Sequence, residues 1–190
     1  MSVDASDVTD ALLPGLRGSA SQAVFCRSLP DSAAPLLRLL RRLLRERDLE
    51  GEAAQCLVLC EKSKLRGLEL RQMAKEDPVD EVLRNVHIKY IQPGGAPAAL
   101  LALQALRFRP TAVAVLELQH LTAGPAQEHH YLMCASLLLD ACAQMRPPCA
   151  ALIWEPELKS ESLLGGIFTK TWDLSLDPDT DRLALQELFT

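Results

Sequence analysis

The sequence predicts an α/β fold in which a mostly parallel sheet is flanked by helices on both faces, and three observations carry that expectation. Thr111 to Gln119, TAVAVLELQ, is a nearly unbroken, valine-rich apolar run of the kind a strand buried on both sides requires. Similar runs recur at Gln22–Cys26, Gln55–Cys60 and Cys149–Trp154, with leucine-rich helical patterns between them. The stretches between these runs are long enough for the crossovers that parallel neighbours need.

Residues 1–20 read as an N-terminal arm, with a polar lead and a short apolar turn from Ala11 to Leu13 broken by Pro14, Gly15 and Gly18. Residues 21–190 read as a single domain. Gln22–Cys26 (QAVFC) is its first strand, followed by a loop, RSLPDSAAP, whose Pro35 stands where a first-turn helix proline would. From Leu36 to Arg47 the pattern is helical. Leu36, Leu39, Leu40, Leu43 and Leu44 make one stripe, and Arg38, Arg41, Arg42 and Arg45 lie largely on the other side, with Gly51 closing the helix. Gln55–Cys60 (QCLVLC) is a second buried strand, and Lys62 to Glu81 is a polar segment around Pro78. Val86–Ile91 (VHIKYI) alternates apolar with polar residues, as a strand near an edge does.

Pro93-Gly94-Gly95 is a turn, and Ala98 to Leu106 is a helix that Pro110 stops. Thr111–Leu118 is the expected central strand. A loop at Thr122–Pro125 leads to a helix over roughly Gln127–Met145, and Pro147 and Pro148 separate it from the buried run CAALIW. After Gly165-Gly166 a terminal strand is expected near Phe168–Leu176, then an acidic turn and a short helix containing Leu185 and Leu188.

With 190 residues, 48% apolar and 24% charged, the chain has enough material for one sizeable core and too little for two ordinary domains. The net charge of −5 argues against a general affinity for polyanions, but the charge is uneven. Residues 27–47 carry six arginines against Asp31 and Glu46, whereas residues 151–190 carry eight acids against three bases. A local basic face on an acidic protein follows. The six cysteines, at 26, 56, 60, 134, 142 and 149, fall mostly in apolar runs without a Cys-x-x-Cys pair, so reduced core thiols are expected rather than disulfides or zinc. The N-terminus has neither a basic n-region nor a long apolar h-region, and no stretch nears 18 apolar residues, so neither secretion nor membrane spanning is expected.

In such folds ligands sit at the carboxyl ends of the strands, so the loop after the first strand is the place to test for phosphate capture. That capture needs glycines to free backbone N–H groups, then a lysine and a hydroxyl. Residues 28–35 (SLPDSAAP) hold no glycine and no lysine, and Pro30 and Pro35 remove amide donors. Ser28 and Ser32, at this degenerate phosphate-loop position, read as turn and N-cap residues. Glu117 is the only acid at the end of the central strand, where nucleotide hydrolases keep a metal-holding acid, and it reads as a strand-end residue facing a neighbour. His129 and His130, grouped in sequence with Glu128 and His120, point to different sides of a helix and so cannot ligate one metal from it. Asp140 is a solvent or partner contact in an otherwise apolar helix. Arg38, Arg41, Arg42 and Arg45 form a candidate nucleic-acid or partner-binding face, with solvation as the default. With two Trp, two Tyr and four Phe, platforms for base stacking are sparse.

The order of parts resembles the RecA-like recombinase paralogue family, and within it the paralogues that associate with a SWIM-domain protein in Shu-type DNA-repair complexes. The residues that carry it are LVLCEKSKLRGLEL at 57–70, VHIKYIQPGGAPAALLAL at 86–103, AVAVLELQHL at 112–121 and EHHYLMCASLLLDACAQM at 128–145. The resemblance implies a RecA-like domain over 21–190 whose phosphate loop falls on residues 28–35 and whose Walker B aspartate falls at Leu116 or Glu117. It implies a pseudo-ATPase without cofactor or metal, a nuclear, non-catalytic subunit of a hetero-oligomeric complex supporting homologous-recombination repair. The implied partners are a SWIM-domain protein or a recombinase, with single-stranded DNA at the arginine face and no membrane. The runner-up is a RecA-like scaffold subunit of an Elongator-type transfer-RNA modification complex, with the cytoplasm as the alternative compartment. A divergent nucleotide-binding ATPase without a P-loop stands third.

Overall fold

The computed structural model describes residues 12, 14, 21–27, 33–50, 54–65, 84–122, 127–145, 149–155, 167–177 and 182–189. In chain order the elements are β1 (Ser21–Arg27), α1 (Ala33–Leu49), β2 (Cys56–Cys60), β3 (Val86–Tyr90) and α2 (Ala96–Leu101), which runs on into a 3-10 turn over Ala102–Ala105. Then come β4 (Ala112–Leu116), α3 (Leu118–Leu121), α4 (Gln127–Gln144), β5 (Ala150–Glu155), β6 (Lys170–Asp177) and β7 (Arg182–Phe189).

The seven strands form one sheet in the order β3-β2-β4-β5-β1-β6-β7. Every neighbouring pair is parallel except β6 and β7. This is the expected α/β class, a mostly parallel sheet flanked by helices on both faces and in keeping with a RecA-like core. Strands β2, β4 and β5 are buried along their whole length, which accounts for their unbroken apolar sequences. Strand β3 stands at the end of the sheet with Lys89 and Tyr90 exposed, as its alternating sequence requires.

Alternation of side chains divides the core into two layers. On one face α1 buries Leu36, Leu37, Leu39, Leu40, Leu43 and Leu44 against Val24, Val58, Ala114, Leu152 and Trp154. Each fully buried leucine there contributes roughly 1.5–3 kcal/mol of apolar transfer. On the other face α2, α3 and α4 cover Leu59, Val113, Val115, Ala151 and Ile153 with Leu100, Leu118, Cys134, Leu138 and Cys142. Leu12 is held in place as well. Leu12 is buried in the α1 layer, and buried Gln22 ties it down, donating from Nε2 to the Leu12 carbonyl at 3.0 Å and accepting the Trp172 indole N–H at 2.9 Å.

Several expectations need correction. The run from Thr111 to Gln119 is a strand only over Ala112–Leu116, because the backbone turns left-handed at Glu117 and a helical turn starts at Leu118. It is also not the middle strand, a place taken by β5. The helix at Ala98–Leu106 begins at Ala96 and tightens to 3-10 geometry after Leu101. The helix expected around Leu185 and Leu188 is the strand β7. Only residues 178–181 separate it from β6, and the antiparallel register sets Leu185 opposite Leu174 and Leu183 opposite Leu176. Ladder pairing at the sheet edge therefore overrides the three-residue leucine spacing. Five of the cysteines, Cys56, Cys60, Cys134, Cys142 and Cys149, are free and buried as expected. Gly51, most of the 62–81 segment, Thr122–Pro125 in part, and Gly165-Gly166 lie outside the described residues. Among the described residues no helix is long and apolar enough to cross a membrane.

Candidate functional site

Because the strands run parallel, the segments that follow β2, β4 and β5 emerge along one edge of the sheet. At the end of β4 the backbone of Glu117 takes φ 55° and ψ 56°. For a residue with a Cβ this conformation costs about 1–2 kcal/mol, so the surroundings must hold it. They do so through the backbone. The Glu117 N–H donates to the Trp154 carbonyl at 2.7 Å, and the Glu117 carbonyl accepts from the N–H groups of His120 at 3.0 Å and Leu121 at 3.2 Å. A further tie comes from the β3–α2 turn, where the Gly94 N–H donates to the Leu121 carbonyl at 2.8 Å.

Two polar contacts join this turn to the segment after β2. The Lys64 ammonium lies 2.7 Å from Glu117 Oε2, with the Glu117 side chain only 11% exposed. His120 Nε2 lies 2.6 Å from Glu61 Oε2. The register Leu59↔Val115 between β2 and β4 brings Glu61, Lys64, Glu117 and His120 together although they are distant in sequence. The outer side of the same segment is held by the Tyr90 hydroxyl, which donates to the Leu65 carbonyl at 3.3 Å.

A second carboxyl closes the site from β5. Glu155 is 1% exposed, and its Oε1 accepts the Gln119 N–H at 2.9 Å. Its other oxygen, Oε2, is buried too, and the carboxyl pairs with the buried Tyr131 hydroxyl on α4. Burial pushes the Glu155 carboxyl up to about 8. The Gln119 N–H opposes that shift, the Glu117 charge adds to it, and Tyr131 acts against it. Glu155 is therefore largely protonated at neutral pH. Burial, reinforced by Glu155, also pushes the Tyr131 phenol well above its ordinary range.

The chemistry available is that of a clasp. One carboxylate is matched by a lysine, the other carboxyl is buried and neutral, and both hold the turn Leu118–Leu121 against the sheet. In this arrangement Glu117 meets a cation the protein itself supplies, and Glu155 has no surface through which to meet a substrate.

Of the residues expected at the site, Glu117 is at this edge and Leu116 beside it is 1% exposed in the α1 layer, leaving Glu117 as the acid of the pair. Ser28 and Ser32 lie outside the described residues. Arg38 and Arg45 are exposed and Arg41 and Arg42 half-buried along the outer stripe of α1, where Arg42 pairs with Glu46 at 3.5 Å. The histidines divide. His120 belongs to the clasp, while His129 and His130 sit at the start of α4, with ring centroids 6.4 Å apart. Asp140 is exposed and accepts from Gln144 Nε2 at 2.8 Å.

Glu155, Tyr131, Glu61 and Lys64 are absent from the site the sequence points to. Glu155 had a signal, being an acid directly after a buried run that reads on to Trp154. Lys64 also had one, as a base shortly after a buried strand. No protein-family model matches the chain, and a search of curated proteins finds none significantly similar to it.

Proposed function

We propose that the chain is a non-catalytic, RecA-like subunit of a hetero-oligomeric complex that supports homologous-recombination repair in the nucleus. The observation that carries the non-catalytic half is the engagement of Glu117 by Lys64 at 2.7 Å. In this reading the only acid at the Walker B position is already neutralised within the protein. The sequence of residues 28–35, without glycine or lysine, supports the same conclusion. The recombination setting rests on the resemblance to SWIM-associated recombinase paralogues, so partners are its decisive test.

Two measurements check the reading. Purified protein with radiolabelled ATP and Mg²⁺ is expected to give no turnover above background, unchanged by Glu117→Gln. Steady turnover that Glu117→Gln abolishes would refute the non-catalytic half. Affinity purification with mass spectrometry is expected to recover a SWIM-domain protein or a strand-exchange recombinase. Recovery of transfer-RNA modification factors in their place would move the protein to an Elongator-type scaffold.

A further inference from the structure

Strand β3 forms one end of the sheet, and among the described residues nothing pairs with its outer edge. The Ile91 N–H donates to the Cys60 carbonyl at 2.8 Å, which sets the phase of the parallel ladder with β2. His87 and Lys89 therefore turn their N–H and carbonyl groups towards β2, whereas Ile88 and Tyr90 turn theirs outward. A row of free donors and acceptors of this kind is a template for an added strand.

Cations line one side of this edge. Side chains alternate along β3, so Val86 and Ile88 pack into the α1 layer while His87 and Lys89 lie on the opposite face. There the loop that leads into β4 meets His87, with the Phe108 and His87 rings 4.6 Å apart between centroids. Phe108 is half-buried, and its neighbours Arg107 and Arg109 are exposed, as is Lys89. Among the described residues none of these three cations forms an ion pair, unlike Arg42, Lys64 and Lys170 elsewhere. The patch is separate from the arginine stripe of α1, which covers the other face of the sheet.

We propose that this edge docks an extended, acidic segment of a partner protein, which adds as a strand outside β3 and sets its carboxylates against Lys89, Arg107 and Arg109. A polypeptide supplies both the N–H and the carbonyl groups that the outward backbone of Ile88 and Tyr90 requires, whereas a phosphodiester offers acceptors only. The one aromatic ring among the three cations, Phe108, already rests on His87 and gives no open platform for a base. A second copy of the chain is disfavoured, because symmetric pairing of two β3 edges would bring the same cations together. Lys89 alone would keep the edge from pairing with its like, and the two arginines carried in by another loop go beyond that need.

The test titrates the isotope-labelled full chain with a short peptide of alternating glutamate and valine and follows the amide resonances. Shifts are expected at Val86–Tyr90 and Arg107–Arg109 and not along α1. Hydrogen exchange at the Ile88 and Tyr90 amides, fast in the free chain, is expected to slow when the peptide binds. Lys89→Glu, Arg107→Glu and Arg109→Glu combined should weaken binding about tenfold, as the loss of three exposed ion pairs would, and added salt should weaken it in the wild type. The same peptide N-methylated throughout keeps its charge but cannot donate to the edge, and is expected to lose binding. Shifts centred on other residues, equal binding of the N-methylated peptide or of a lysine–valine peptide, or tighter binding of oligothymidine at the same resonances would overturn the assignment. So would protected Ile88 and Tyr90 amides in the free chain, or no binding at millimolar peptide. The wild-type titrations decide this even where the triple variant fails to fold.

Discussion

Replacing Glu155 with glutamine is expected to stabilise the protein increasingly as the pH rises, because it removes a buried group that can ionise. The carboxyl titrates at 4.5 in an unfolded chain and is pushed up to about 8 in the fold, chiefly by burial. Between those values the folded state binds the extra proton, so stability falls as the pH rises through the window. The protonated carboxyl's contribution is complete below about pH 4.5 and is lost on passing through about pH 8. At about 1.4 kcal/mol per unit, the loss from pH 5 to pH 8 is on the order of 3 kcal/mol. Glutamine keeps the shape and the acceptor for the Gln119 N–H but has nothing to ionise. Urea unfolding of both proteins near pH 5 and near pH 8 measures the difference. The two should lie within about 1 kcal/mol at the lower pH and separate by about 3 kcal/mol at the higher one. A gap between variant and wild type that stays constant across that range would refute the assignment of a neutral, buried Glu155.

Gln22→Leu leaves the Trp172 indole N–H and the Leu12 carbonyl without their partner, and a loss of about 2–3 kcal/mol with a red shift of tryptophan fluorescence is expected in thermal and spectroscopic scans. Lys64→Met and Glu117→Gln, combined in a double-mutant cycle, should give a coupling of about 1 kcal/mol or less, because Lys64 is 37% exposed and solvent screens the pair. A coupling near zero would show that the left-handed turn is held by its backbone bonds alone. If the α1 stripe meets single-stranded DNA, Arg38→Glu, Arg41→Glu and Arg42→Glu together should lower the salt slope of binding by about 0.7 for each phosphate that is no longer neutralised. If it meets an acidic partner, pull-down weakens while DNA affinity holds. Wild-type behaviour in both assays, with the fold intact, would reduce the stripe to a solvated surface.

Much of the fold is legible in the sequence because burial writes itself into periodicity. The leucines of α1 and the unbroken runs of β2, β4 and β5 are where the pattern places them, since a two-faced core leaves no other composition stable there. β7 was not legible, because RLALQELF satisfies a short helical spacing and a strand equally, and only the closeness of β6 in the chain decides between them. The division between β4 and α3 was hidden for another reason. Glutamate carries no mark of the left-handed conformation, which in a sequence is announced by glycine or asparagine.

The clasp was only half legible for the same physical reason. Side chains alternate along β5, so Trp154 faces the α1 layer and Glu155, one residue later, faces α4 and the turn after β4. An acid at that position cannot be told from an exposed strand-end acid until the turn that covers it is known, and the turn depends on Glu117. Two glutamates at neighbouring strand ends thus meet opposite surroundings. The left-handed turn aims Glu117 at the Lys64 ammonium, whereas Glu155 meets the Gln119 N–H and the Tyr131 hydroxyl and is otherwise enclosed. The same four-residue helix depends on both, through the Glu117 carbonyl at one side and the Gln119 N–H at the other. Opening this edge to a polyphosphate would therefore require the turn to be released and Lys64 to leave Glu117. It would also expose a carboxyl that ionises on reaching water and repels the ligand it was opened for.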